Sequence, residues 1–167
     1  MKLLSRAALA IPVLLLSAGW AHAQVVVTGQ WVRATVPQQT ATGAFMRIQS
    51  PTAVKLVSVS SPVAGAAEVH EMAMDGAVMR MRPVSALAVP AGQPVELKPG
   101  GFHVMLTQLK GQVKDGDLVP LTLVFQGAGT QRTTVQVMAA ARSGASAAAP
   151  AKDAASDPHA GHGDHKH

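Results

Sequence analysis

His70, Met81, His103 and Met105 are separated by ten, twenty-one and one intervening residues, in a sequence without a single cysteine. Two imidazole nitrogens and two thioether sulfurs form a donor set suited to copper(I). Thioether sulfur is soft and favours the monovalent ion, and imidazole accepts copper in either common oxidation state. Neither group is a thiol, so an oxidising compartment would not convert the set to disulfides. All four donors are neutral and leave the charge of the ion uncompensated. A partner offering thiolates could displace the thioethers one at a time, which points to binding that is tight yet exchangeable.

Sheet geometry is the simplest way to unite these residues. Strand residues two apart point to one face, which puts His103 beside Met105 with Cα atoms about 6.5–7 Å apart. Asp75-Gly76 reads as a two-residue hairpin loop, because Gly accepts the positive φ of a type I′ turn and Asp tolerates it. That register sets Met74 opposite Ala77, Met72 opposite Met79 and His70 opposite Met81, with opposed Cβ atoms about 4.5–5.5 Å apart. On the reverse face it pairs Glu71 with Arg80. Met72, Met74 and Met79 read more readily as packing, or as soft surroundings of a metal, than as ligands. The four ligand side chains are expected to be partly exposed, so that substituting them costs copper(I) binding more than fold.

The elements that must hold this site are short. Nine runs rich in Val, Thr and Leu, at 25–35, 43–50, 54–60, 68–74, 77–82, 95–98, 102–109, 118–125 and 131–138, are punctuated by Gly, Pro and Asp. With no convincing long amphipathic helix, the pattern predicts an all-β antiparallel sandwich or barrel. Pro90-Ala91-Gly92 and Pro99-Gly100-Gly101 bracket the short strand around Val95, and Lys114-Asp115-Gly116-Asp117 turns the chain into Leu118. Pro120 lies inside a strand-like run and so indicates an edge position or a strand start. Disulfides are unavailable, so apolar burial must stabilise the fold, and residues 24–140 suffice for one core.

The two ends differ in kind from this segment. Residues 1–23 read as a cleavable signal peptide, with Lys2 and Arg6, an apolar stretch from Leu9 to Ala18, and Ala21-His22-Ala23 before Gln24. Cleavage would leave a periplasmic protein without stable membrane insertion, since no later run approaches the roughly 18 apolar residues of a span. Loss of Lys2 and Arg6 lowers the formal charge of +5 by two, and the remaining basic residues are scattered, which argues against nucleic acid. Residues 141–167 read as a flexible Ala/Ser/Gly/Pro linker and His-rich tail that cannot bury enough apolar area to offset its ordering entropy. Its His159, His162, His165 and His167 form a candidate second metal site for copper(II), which prefers nitrogen donors to thioether.

At this point the chain resembles the PCu(A)C family of periplasmic copper chaperones, whose motif H(M)-x10-M-x21-H-x-M is matched by His70, Met81, His103 and Met105. The resemblance spans about residues 25–139. It includes Trp31-Val32-Arg33, Gly43-Ala44-Phe45-Met46, His70-Glu71-Met72, the run from Met79 to Val84, the run from Pro99 to Leu106, and the run from Pro120 to Phe125. It implies a cupredoxin-like β-barrel or sandwich that holds copper(I) near its surface. It also implies delivery toward the CuA centre of cytochrome c oxidase subunit II, with Sco-type copper proteins as co-workers, and a monomer is expected. Many such chains carry a C-terminal extension rich in both Met and His, whereas no Met follows Met138 here.

Other function classes fit less well. Sequestration for copper resistance would use the same site, so the residues do not separate it from delivery. A redox cupredoxin would need a Cys thiolate at a blue-copper site. An enzyme is not expected, as the sequence shows no Ser-His-Asp set, paired catalytic carboxylates or phosphate-binding glycine loop.

Overall fold

Alternating burial organises the chain into ten strands: β1 (Val26–Arg33), β2 (Ala41–Gln49), β3 (Val54–Ser60), β4 (Ala64–Asp75), β5 (Val78–Pro83), β6 (Leu87–Val89), β7 (Val95–Leu97), β8 (Phe102–Leu109), β9 (Leu118–Gln126) and β10 (Arg132–Arg142). In β9, Val119, Leu121, Leu123 and Phe125 are buried while the residues between them are partly exposed. Such a strand has one apolar face to cover. The computed structural model describes residues 24–143. The expected signal peptide at 1–23 and the histidines from His159 onward lie outside the described residues.

The strand order is β5-β4-β8-β2-β1-β10-β9-β3-β6, with β7 added to β2. Strands β1 and β10 pair in parallel, and the remaining strand pairs are antiparallel. Although β3 and β4 lie near opposite ends of this order, they touch. The sheet therefore folds over on itself around a single apolar cluster that includes Val32, Ala44, Leu56, Val69, Val104 and Leu121. This is the all-β, cupredoxin-like architecture expected from the sequence.

Three local features differ from the expected elements or refine them. Strand β6 is absent from the sequence reading because a three-residue run is too short to show a period, yet Leu87 and Val89 are buried. Strand β4 begins four residues before the expected run, at Ala64, because pairing with β8 outweighs the weak strand preference of Ala and Gly. Pro120 sits in a strand with neighbours on both sides, but pairing with β3 ends at Thr122. Its carbonyl accepts the Ser61 hydroxyl at 2.7 Å on that side, so the missing N–H also faces a locally unpaired edge.

The β4–β5 hairpin corrects the expected register. Met72 pairs with Met81, Met74 with Met79, His70 with Pro83 and Glu71 with Arg82, leaving Gly76 and Ala77 as the loop. Gly76 has φ +64° and Ala77 is not among the residues with positive φ. That fits a type II′ turn, which needs Gly only at its first central position. Asp75 thereby stays in β4, where its carboxylate meets Arg80 Nε at 3.0 Å. The slip is two residues rather than one, so every side chain keeps the face assigned to it.

Candidate metal centre

The centre is built on the outer face of the sheet, directly behind the core. Val32, Ala44, Val104 and Val69 form a buried row on the inner face of β1, β2, β8 and β4. One residue along, on the opposite face, Trp31 pairs with Phe45 and His103 pairs with His70. Trp31 and Phe45 stack with ring centroids 4.3 Å apart, Phe45 lies 6.4 Å from His103, and His103 lies 6.0 Å from His70. A row of four rings thus crosses four strands and ends at the hairpin. The direct apposition of the two histidines was not expected from the sequence, because it depends on the β4–β8 register.

Each imidazole has one nitrogen committed to an acceptor. His103 Nδ1 donates to the Gly101 carbonyl at 3.1 Å. A carbonyl can only accept, so Nδ1 carries a proton, and in the neutral ring Nε2 then holds the lone pair. His70 Nε2 donates to the Glu68 carboxylate at 3.2 Å, which in the neutral ring leaves the lone pair on Nδ1. That Nδ1 is buried and has no hydrogen-bond partner. A buried nitrogen without a partner costs free energy on the order of 1–3 kcal/mol unless something else, such as a metal, engages it. Partners of this kind orient a ligating imidazole and set its tautomer.

The thioethers share this sheet face. Met105 follows His103 on the same face of β8 and pairs with Glu68 across to β4 and with Gly43 across to β2. Met81 is diagonal to His70 across the hairpin rather than directly opposite, because its own partner is Met72. Met81, Met72, Met105 and His103 line one pocket of about 300 Å³, whose other walls include Arg33, Gly43, Phe45, Pro99 and Gly100. His70 lies beside this pocket rather than in its lining. Among the described residues no three His, Asp or Glu side chains converge as a metal site, and the further soft donors in the pocket lining are thioethers. Two free imidazole nitrogens and soft thioethers on one face fit copper(I) as cargo.

The exposure of the four residues is uneven. Met81 is 44% exposed, but His103 is only 6% exposed, which corrects the expectation that all four are partly open. Its ring is covered because Phe45 leans across from β2, and Gly43 makes that possible. A Cβ at Gly43 would lie 2.9 Å from Phe45 Cζ. The Arg33 guanidinium lies over the Phe45 ring, 5.9 Å from its centroid.

The sequence pattern gives Glu68, Phe45, Trp31 and Arg33 no role in the centre, and reads Met72 as packing or as soft surroundings of a metal. The signal for Glu68 was its place two residues before His70, on the same strand face. For Trp31, Arg33, Gly43 and Phe45 the signal was the same two-residue spacing within their own motifs. The candidate copper(II) residues His159, His162, His165 and His167 lie outside the described residues.

Comparison with known proteins agrees with this architecture. The family described as "Putative lipoprotein LpqE-like" matches residues 25–137. A protein of Leifsonia xyli subsp. xyli (strain CTCB07), named "Putative lipoprotein Lxx21020", is 33% identical over 115 residues, which is 68% of this chain and 69% of that protein. The solution structure of CuI-DR1885 from Deinococcus radiodurans is 30% identical with a TM-score of 0.58, covering 74% of this chain and 83% of that one. The apo PCuAC domain from PmoF1 is 28% identical with a TM-score of 0.58, covering 71% of this chain and 93% of that one. With the motif, the fold and a match over most of its length in agreement, the chain belongs to the LpqE-like family, which is the PCu(A)C family.

Proposed function

We propose that this chain is a copper(I) chaperone of the cell envelope, with His70, Met81, His103 and Met105 as its ligands and the CuA centre of cytochrome c oxidase as the destination of its cargo. One observation supports this most directly. The two paired imidazoles each direct one nitrogen to a protein acceptor, so that His103 Nε2 and the buried His70 Nδ1 are left free beside the thioethers. The relative CuI-DR1885 carries copper(I) in its name, and the lipoprotein names of the family and of the Leifsonia protein agree with an exported location.

Neutral donors at an open pocket suit a carrier. Met81, the most exposed of the four, is the first donor an incoming thiolate would replace, and the buried His103 the last. The recipient is then subunit II, directly or through a Sco-type protein, and no substrate is turned over. The leader at 1–23 would direct the chain to the periplasm. The tail histidines would bind copper(II), separately from the copper(I) held by the domain. Deletion of residues after Ala149 should then lower copper(II) uptake and leave copper(I) binding intact, and unchanged copper(II) uptake would remove the tail from this scheme.

The test of the ligand set is copper(I) titration with X-ray absorption on the native chain. The expected shell contains both nitrogen and sulfur, with sulfur reduced in Met81→Leu and nitrogen reduced in His103→Ala. A shell identical in all three proteins would disprove the assignment. Incubation of the loaded chain with apo subunit II separates delivery from storage, because retention of copper would indicate sequestration.

A further inference from the structure

The hairpin carries more sulfur than one site requires. Five of the eight methionines of the chain lie on a single face formed by β4, β5 and β8, namely Met72, Met74, Met79, Met81 and Met105. Met72 pairs with Met81, and one rung further out Met74 pairs with Met79. Opposed Cβ atoms in such pairs are about 4.5–5.5 Å apart, and successive rungs are about 6.5–7 Å apart. Thioether side chains with three rotatable bonds can close either gap around one ion.

The outer rung is not explained by packing. Met74 and Met79 are 62% and 54% exposed, and none of the four hairpin methionines belongs to the apolar core. They do not line the pocket that holds His103 and Met105, whereas Met72 and Met81 do. The other face of the hairpin has the opposite character, with Asp75 3.0 Å from Arg80 and 4.0 Å from Arg82. A ribbon with charged side chains on one side and two thioether rungs on the other presents soft donors to solvent, contiguous with the proposed centre.

We propose that Met74 and Met79, sharing Met72 and Met81, form a second copper(I) site at the hairpin, from which the ion steps inward to His70, His103 and Met105. The inference rests on the proposed copper(I) function of the inner centre. The step is ligand exchange alone: the outer thioethers release the ion as the inner thioether and imidazoles bind it, and its oxidation state does not change. Met81 belongs to both sets, so the ion need never leave protein donors during the transfer.

The test is a titration of the full chain, carrying 13C-methyl methionine, with silver(I) as a redox-inert soft cation in chloride-free buffer. The first equivalent is expected to shift the Met81 and Met105 methyl signals, and the second to shift Met74 and Met79. Met138, a solitary methionine that is 51% exposed on β10, serves as the control for adventitious binding. The double variant Met74→Leu/Met79→Leu should keep the first event and lose the second, and both positions are exposed enough for the fold to tolerate the change. If Met74 and Met79 stay silent, move in step with Met81 at the first equivalent, or respond no more than Met138, the second site is overturned while the inner one stands. If Met81 and Met105 also stay silent, the copper(I) reading of the centre itself fails.

Discussion

Strand β8 shows how one short sequence serves two purposes by alternation. Val104 and Leu106 point inward with no measurable exposure, where they meet Val69, Ala67, Ala44 and Thr42 across the neighbouring strands. His103 and Met105 point outward, one against His70 and the other against Glu68 and Gly43. The inner face gains its stability from dispersion and water exclusion, which are non-directional and tolerate exchange of similar shapes. The outer face depends on where lone pairs point. The outer donors are therefore positioned by a backbone that they share with the core.

The largest expected effect comes from weakening the shared backbone. Leu106→Ala should destabilise the fold by about 2–5 kcal/mol, the range for truncating a buried Leu, measured as a lower denaturation midpoint. The fraction that remains folded should bind copper(I) with unchanged stoichiometry, because no ligand has been touched. Loss of stoichiometry in fully folded protein would show that the two faces are not separable.

Gly43→Ala attacks the outer face by packing alone. The added methyl would meet Phe45 Cζ at 2.9 Å, and the ring has little room, being stacked on Trp31 and capped by Arg33. Overpacking, less the usual gain from replacing Gly in a strand, gives a net cost of about 1–2 kcal/mol. Displacement of Phe45 should also uncover His103, visible as a shift of its ring signals. An unchanged His103 environment would mean that Phe45 does not shield the centre.

How far the sequence revealed these faces follows from the same alternation. His103-Val104-Met105 shows its two faces directly, and so does the run from Leu118 to Phe125, because burial with period two is local information. The pairing of His70 with His103 was not legible, since register between strands more than thirty residues apart is set by the whole sheet. The hairpin was legible in its faces but not in its partners. Asp75-Gly76 and Gly76-Ala77 are both acceptable loops, and the structure takes the second, with Met72 opposite Met81 and Met74 opposite Met79. Strand β6 fell below the length at which a period can be read.

Glu68→Ala probes direction rather than packing. Among the described residues Glu68 is the one acceptor for His70 Nε2, so its removal frees the ring to change tautomer or rotate. Loss of such a supporting carboxylate typically lowers metal affinity 10–100-fold. Because the Glu68 side chain is 65% exposed, water can replace it, and the expected loss lies at about the tenfold end. Competition with a chromogenic copper(I) chelator measures it. An unchanged affinity would indicate that His70 is oriented by packing against His103 alone.

Asp75→Asn should have the smallest effect and makes the sharpest test of the separation of faces. Asp75 meets Arg80 at 3.0 Å and Arg82 at 4.0 Å, with all three side chains more than half exposed. Exposed pairs of this kind are worth about 0–1 kcal/mol, because water and salt compete for both charges. The substitution keeps the side-chain shape and leaves Gly76 and the strand pairing in place. The thioethers of Met72, Met74, Met79 and Met81 lie on the other side of the ribbon, so copper(I) affinity should not change and neither should the methionine methyl signals. If either responds, the ion pair is holding the hairpin register itself. The two-residue slip between Met81 opposite His70 and Met81 opposite Met72 would then be under the control of Asp75.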